Sequence, residues 1–197
     1  MSTLYYSPTS PYARKVRVLI RELGLHARIA EATMTPLDDP AALLAANPLA
    51  KVPALALDDG SALYDSRVIC AWLLAHRDAA PAAPDAAAHW QTQRRAALAE
   101  GLIDAAVAMT MEARRPAPQQ SSYWLGRWTH AVERAVRVLE TEVTTLSTDI
   151  DAISAAVALA YLDFRQPQIA WRAQAPALAR WLDGFAQRPS MQATVPA

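Results

Sequence analysis

Leu4-Tyr5-Tyr6-Ser7-Pro8-Thr9-Ser10-Pro11-Tyr12-Ala13-Arg14-Lys15-Val16-Arg17-Val18-Leu19-Ile20 is the stretch on which the reading of the chain turns. Residues 4–6 read as a short strand. Residues 7–11 form a turn and a helix start. Pro11 suits the first helical position, where its missing N–H costs nothing, and Ser10 then becomes the N-cap. Val16, Leu19, Ile20 and Leu23 follow at i, i+3, i+4 and i+7, a full apolar stripe. Gly24 ends the helix as a residue just past the C-cap would.

Working outward, residues 30–32 predict a second strand and residues 40–46 a short helix. Lys51 to Leu57 read as a turn and a third strand, Asp58-Asp59-Gly60 as a hairpin turn and residues 62–64 as a fourth strand. A helix begins at Asp65 or Ser66, with Ile69, Trp72, Leu73 and His76 at helical spacing. The order is βαβαββα within residues 1–76. Residues 77–85, with Pro81 and Pro84 among alanines, read as a linker. Beyond it the strand signals stop. Residues 86–113 form a long helical pattern around Trp90, Leu98, Leu102, Ala105 and Met109, broken by Pro116 and Pro118. Residues 123–146 form another, with Val132, Val136, Leu139, Val143 and Leu146 inward. A third carries Ile150, Ile153, Val157 and Tyr161. A last one starts near Pro176 and buries Leu178, Trp181, Leu182 and Phe185. The predicted class is therefore α/β plus all-α: an N-terminal mixed domain over 1–76 and a helical bundle over 86–197.

Bulk properties narrow the function classes. Of the 197 residues, 53% are hydrophobic and 19% charged, a globular composition. Nineteen basic and nineteen acidic residues cancel, so no basic surplus points to nucleic acid. Cys70 is the only cysteine, which rules out an internal disulfide; inside a helix it reads as a packed small residue. His26, His76, His89 and His130 show no metal-ligand spacing, so no metal is expected. The N-terminus has no signal-peptide pattern, and no run of about 18 apolar residues is present. A soluble, cytoplasmic protein without a membrane partner is expected.

Several of these segments resemble the glutathione transferases of bacteria. Tyr6 to Arg17 is similar to their opening. Asn47-Pro48-Leu49-Ala50-Lys51-Val52-Pro53-Ala54-Leu55 resembles their N-P-x-G-K-V-P-x-L loop, with Ala50 in the place of the glycine. Asp65-Ser66 stands where they usually carry Glu-Ser. Thr148 and Asp151 resemble the capping box of their core helix. Tyr161-Leu162-Asp163-Phe164-Arg165 and Arg188-Pro189-Ser190 resemble their C-terminal segments.

The resemblance implies a thioredoxin-like first domain and activation of the glutathione thiol as a thiolate for addition to a small electrophile. The thiolate is the nucleophile, and a free thiol with a pKa of about 8.5 is only about 3% ionised at pH 7. Ser10 aligns with the catalytic serine or cysteine of related classes; from its position alone it is equally a plain helix cap. Thr9, one residue away, is the rival donor. Tyr5 and Tyr6 read better as strand residues packed in the sheet. The resemblance also implies a cis bond at Val52-Pro53 that turns Val52's backbone groups outward to pair with the peptide. Ser66 would accept the γ-glutamyl carboxylate at a helix N-terminus, Asp65 would contact the ammonium, and Lys51 would neutralise the glycine carboxylate. Tyr12, Met109, Arg114, Tyr123 and Trp124 are candidates for a second-substrate site between the domains. A homodimer is expected by the same likeness. A thiol–disulfide oxidoreductase would want a cysteine at position 10, where Ser10 stands. A non-catalytic glutathione-binding protein of the same fold stays open as the alternative.

Overall fold

The first helix begins where the local chemistry directs it. Ser10 has extended φ/ψ, its Oγ accepts the Ala13 N–H at 3.2 Å, and Pro11 takes the first helical position. The structure, a computed structural model, describes residues 1–77, 85–146 and 149–196. It contains strands β1 (Ser2–Tyr6), β2 (Ile29–Thr33), β3 (Ala54–Ala56) and β4 (Ala62–Leu63). The first helices are α1 (Pro11–Glu22), α2 (Ala41–Ala46) and α3 (Ser66–Ala75). Further along the chain come α4 (Ala86–Glu112), α5 (Ser122–Glu142), α6 (Ile150–Arg165), α7 (Trp171–Gln174), α8 (Pro176–Phe185) and α9 (Pro189–Gln192).

The sheet order is β2-β1-β3-β4. β1 and β2 are parallel, joined by α1; β3 runs antiparallel to β1 and β4 antiparallel to β3. This is the thioredoxin-like arrangement of the family the sequence resembles. Gly24 (φ 69) releases the chain from α1, and Gly60 (φ 87) closes the β3–β4 hairpin, both with backbone that a side chain would resist. Successive strand residues face opposite sides. Tyr5 packs on Leu43 and Ala46 of α2 with Val52, Ala54 and Ala62. Leu4 therefore faces the other side, where α1 and α3 pack together. Leu4, Val16, Ile20, Leu55, Ile69 and Leu73 are fully buried in that core.

Contacts divide the chain into two compact units. The segment from Pro189 onward belongs with the N-terminal unit rather than with the helices that precede it. It packs on α1: Arg14 Nη2 donates to the Met191 carbonyl at 3.3 Å, the Ser190 hydroxyl donates to the Glu22 carboxylate, and Thr194 Oγ1 donates to the Ser190 carbonyl at 2.9 Å.

In the helical unit α4, α5 and α6 form the centre. Ala99, Ala106, Ala152, Ala155 and Ala156 are fully buried, and such small side chains let α4 and α6 approach closely. Glu140 of α5 accepts the Ala177 and Leu178 N–H groups at 3.0 and 2.6 Å, capping α8, whose own N-cap Ala175 has no acceptor side chain. Among the described residues, no helix is long and apolar enough to cross a membrane.

Some sequence expectations need correction. His76 is exposed rather than inward: it stacks on Trp72 with centroids 4.2 Å apart, past the last turn of α3. Trp90 is 66% exposed, because the first turns of α4 carry no buried face. Val143 and Leu146 are only half-buried, since α5 stops at Glu142 and a 3₁₀ turn follows. Thr148 lies outside the described residues, as does most of the expected linker, 78–84. The N-cap of α6 is Asp149, whose carboxylate accepts the Ile150 N–H at 2.7 Å. Asp151, fully buried, pairs with Arg95 at 2.8 Å, and the capping box expected with Thr148 involves a residue outside those described.

Glu31 on β2 ties the sheet to α1, accepting from Arg17 at 2.9 Å and from Arg21. Burial alone would raise the Glu31 carboxyl. The Arg21 hydrogen bond and the charges of Arg17 and Arg21 outweigh burial and hold it below its usual value. A lowered folded-state value means that this contribution is present above the unfolded pKa of about 4.3 and is lost as pH falls through the folded value. Glu31→Gln is expected to lower stability near neutral pH and to flatten the acid limb below about pH 4. Urea unfolding of both proteins across that range checks it; parallel acid limbs would refute it.

Candidate functional site

Strand register brings the predicted site segments together. Tyr5 pairs with Ala54, so the end of β1 lies beside the start of β3. Leu55 pairs with Leu63, so the end of β4 lies beside that same start. The loop 7–10 leaving β1, the turn 51–53 leading into β3 and the turn 64–65 leaving β4 therefore converge at one end of the sheet. Two helices, α1 and α3, begin there, each presenting the positive end of its dipole.

Ser10 sits half-buried at the α1 start, its backbone N–H donating to the Ser7 carbonyl at 3.0 Å. The Ala13 bond uses Oγ as an acceptor, which leaves the hydroxyl proton available to donate. Thr9 is half-buried in the same loop. Tyr5 is packed under α2, and the Tyr6 ring lies 4.1 Å beneath the Arg17 guanidinium, so both tyrosines have packing roles.

The Val52-Pro53 peptide is cis, as is Tyr64-Asp65. Pro53 is buried, Val52 half-buried and Lys51 exposed. The ladder pairs of β3 with β1 begin at Ala54, so Val52 lies beyond them. At the α3 start Asp65, not Ser66, is the N-cap: its Oδ1 accepts the Arg67 N–H at 2.9 Å. Ser66 is the first helical residue, 3% exposed. The backbone N–H groups of this first turn and the Ser66 hydroxyl suit a carboxylate.

Sequence reasoning assigned no work to Asn47, although it opens the 47–55 motif. Only 2% exposed, it donates through Nδ2 to the Lys51 carbonyl at 2.8 Å and accepts the Leu49 N–H at 3.0 Å. It fixes the loop that presents Val52. The same loop holds Ala50 at φ 52, the left-handed region, so the backbone there keeps the form that glycine would favour.

The second-substrate candidates are dispersed. Tyr12 is half-buried on the first turn of α1, in the N-terminal unit. In the helical unit Met109 is buried, and Arg114, past the end of α4, lies 3.7 Å from the Met111 sulfur. Tyr123 is 67% exposed with its edge toward Trp124, which stacks on Trp128. Among the described residues, no group of three or more His, Cys, Asp or Glu side chains is placed to hold a metal ion.

Two substitutions test this local architecture by chemical denaturation. Ser10→Ala removes the α1 cap and is expected to cost about 1 kcal/mol, Ser10→Gly only a few tenths. Ala50→Gly relieves the left-handed alanine and is expected to stabilise by about 0.5–1 kcal/mol. A loss of stability at position 50 would show that the loop gains nothing from glycine.

Comparison with known proteins identifies the family of the chain. The family model described as the glutathione S-transferase N-terminal domain matches residues 9–76. A curated Escherichia coli (strain K12) protein, the uncharacterized GST-like protein YibF, is 32% identical over 196 residues, covering 96% of each chain. A glutathione transferase family member from Pseudomonas fluorescens Pf-5, solved with bound glutathione, is 43% identical over all of both chains with a TM-score of 0.93. A glutathione S-transferase from Methylobacillus flagellatus, also solved with glutathione bound, is 36% identical over all of both chains with a TM-score of 0.91.

Proposed function

The chain belongs to the glutathione S-transferase family, and from that premise we propose that it binds glutathione at the sheet end where α1 and α3 begin, ionises its thiol and adds it to a small electrophile. The observation that carries this reading is the position of Ser10. Its hydroxyl sits at the N-cap of a 12-residue helix, at the same sheet end as the Val52-Pro53 and Asp65-Ser66 turns. The relatives solved with glutathione support the choice of ligand.

In this proposal Val52 pairs with the extended tripeptide through its backbone. The first turn of α3, with Ser66, holds the γ-glutamyl carboxylate. Asp65 faces the ammonium, and Lys51 the glycine carboxylate. The sulfur then lies over the α1 start. There the Ser10 hydroxyl, or that of Thr9, donates to it, and the helix dipole favours negative charge.

Moving the thiol from about 8.5 to about 6.5 would raise the thiolate fraction at pH 7 from about 3% to about 75%, for about 2.7 kcal/mol of preferential thiolate binding. The S–H proton leaves to solvent. The sulfur lone pair forms the S–C bond. The electrophile's displaced electron pair departs with a leaving group or takes a proton from solvent. A cytoplasmic twofold dimer completes the reading.

Calorimetry with glutathione, read with the ultraviolet thiolate band of the bound ligand, tests the proposal in wild type and Ser10→Ala. The expected result is binding by both, with a thiolate band near neutral pH in wild type that Ser10→Ala loses. Wild-type binding without thiolate would instead identify a non-catalytic glutathione-binding protein. No binding would remove glutathione from the reading altogether.

A further inference from the structure

Arg14 stands where a cation is unfavourable. Its backbone N–H donates to the Ser10 carbonyl at 2.9 Å, so it lies in the first turn of α1, beside the positive end of the helix dipole. It is only 6% exposed. Its guanidinium donates through Nη2 to the Met191 carbonyl at 3.3 Å, and its Nε is buried with no partner. Among the described residues it forms no ion pair, and the carboxylate beside this helix, Glu31, is already shared by Arg17 and Arg21. Burial and then the charge of Arg17 pull its pKa down to about 10, so it remains charged at neutral pH in a place that disfavours charge.

A buried charge without a counter-ion costs folding stability, and an apolar side chain of similar length would avoid that cost. Local rules broken in this way concentrate at functional positions. One turn separates Arg14 from Ser10, about 6 Å along the axis, and helical side chains lean toward the helix N-terminus. An anion at the α1 start would meet this charge through a buried, weakly screening medium.

We propose that Arg14 supplies the unpaired positive charge that stabilises the anionic sulfur of glutathione at the α1 N-terminus, acting through space without touching the substrate. This role rests on the glutathione reading above. It accounts for a costly, incompletely bonded guanidinium on a residue one helical turn after Ser10. The C-terminal segment contributes by holding that guanidinium in place through the Met191 carbonyl.

Wild type, Arg14→Lys, Arg14→Gln and Arg14→Met are compared by titrating the bound thiolate band and by calorimetry with glutathione and with S-methylglutathione, which carries no ionisable thiol. Glutamine keeps a donor for the Met191 carbonyl, and methionine keeps apolar packing, so the two neutral variants fail to fold for different reasons if either does. The expected result is a bound-thiol pKa higher by about 0.5–1 unit in the neutral variants, roughly three- to tenfold less thiolate below that pKa. Arg14→Lys should keep most of the wild-type value, and S-methylglutathione affinity should stay within about twofold throughout. Folded neutral variants with the wild-type thiol pKa would overturn the role of Arg14 while leaving the glutathione reading intact. Equal weakening of glutathione and S-methylglutathione would overturn it in favour of a structural role. Wild type that binds glutathione only as thiol, or not at all, would overturn both.

Discussion

The pairing of β3 with β1 is the constraint on which the N-terminal unit depends. Antiparallel register at Tyr5↔Ala54 and Leu4↔Leu55 fixes two things together. It buries Leu4 and Leu55 side by side against α1 and α3. It also sets the turn before β3 beside the loop after β1. A slip of one residue would send Leu4 to the α2 face and carry the 51–53 turn away from Ser10, so core packing and site assembly share one register. The β3–β4 hairpin extends the same logic, because a short Asp-Asp-Gly turn returns the chain to the same end with α3 about to start.

The electrostatics of α1 follow from that placement. A helix that begins at the site presents positive partial charge there, and the chain adds real cations along the same helix. Arg17 and Arg21 share the Glu31 carboxylate, with Arg17 also lying on the Tyr6 ring. These contacts anchor α1 to the sheet. Arg14 has no such carboxylate and is held by the Met191 carbonyl of the segment that returns from the end of the chain. The same helix therefore contains satisfied cations that serve the fold and one incompletely satisfied cation near the proposed sulfur position.

The helical unit is organised differently. Its centre relies on alanines that allow α4 and α6 to pack closely, and its polar groups are matched across elements, as with Arg95 and Asp151 or Glu140 and the start of α8. These pairings lie far apart in sequence, so no local window reveals them. Asp151 shows the consequence. Its buried carboxylate is one side of an ion pair with Arg95, 56 residues earlier in the chain, which its local sequence does not announce.

What the sequence determined by itself was whatever depends on neighbours in the chain. The apolar stripe from Val16 to Leu23, the Ser10-Pro11 start, the stop at Gly24 and the turn at Gly60 are local backbone and capping effects, and the structure realises each of them. The order of strands and helices in the first 76 residues was legible for the same reason, as was the motif from Asn47 to Leu55. Tertiary structure decided what depends on distant partners. It turned His76 and Trp90 outward. It returned the chain from Pro189 to α1. It also left Arg14 buried one helical turn after Ser10 with a bare Nε, since burial and hydrogen-bond satisfaction are set by the packing of remote segments and not by local periodicity.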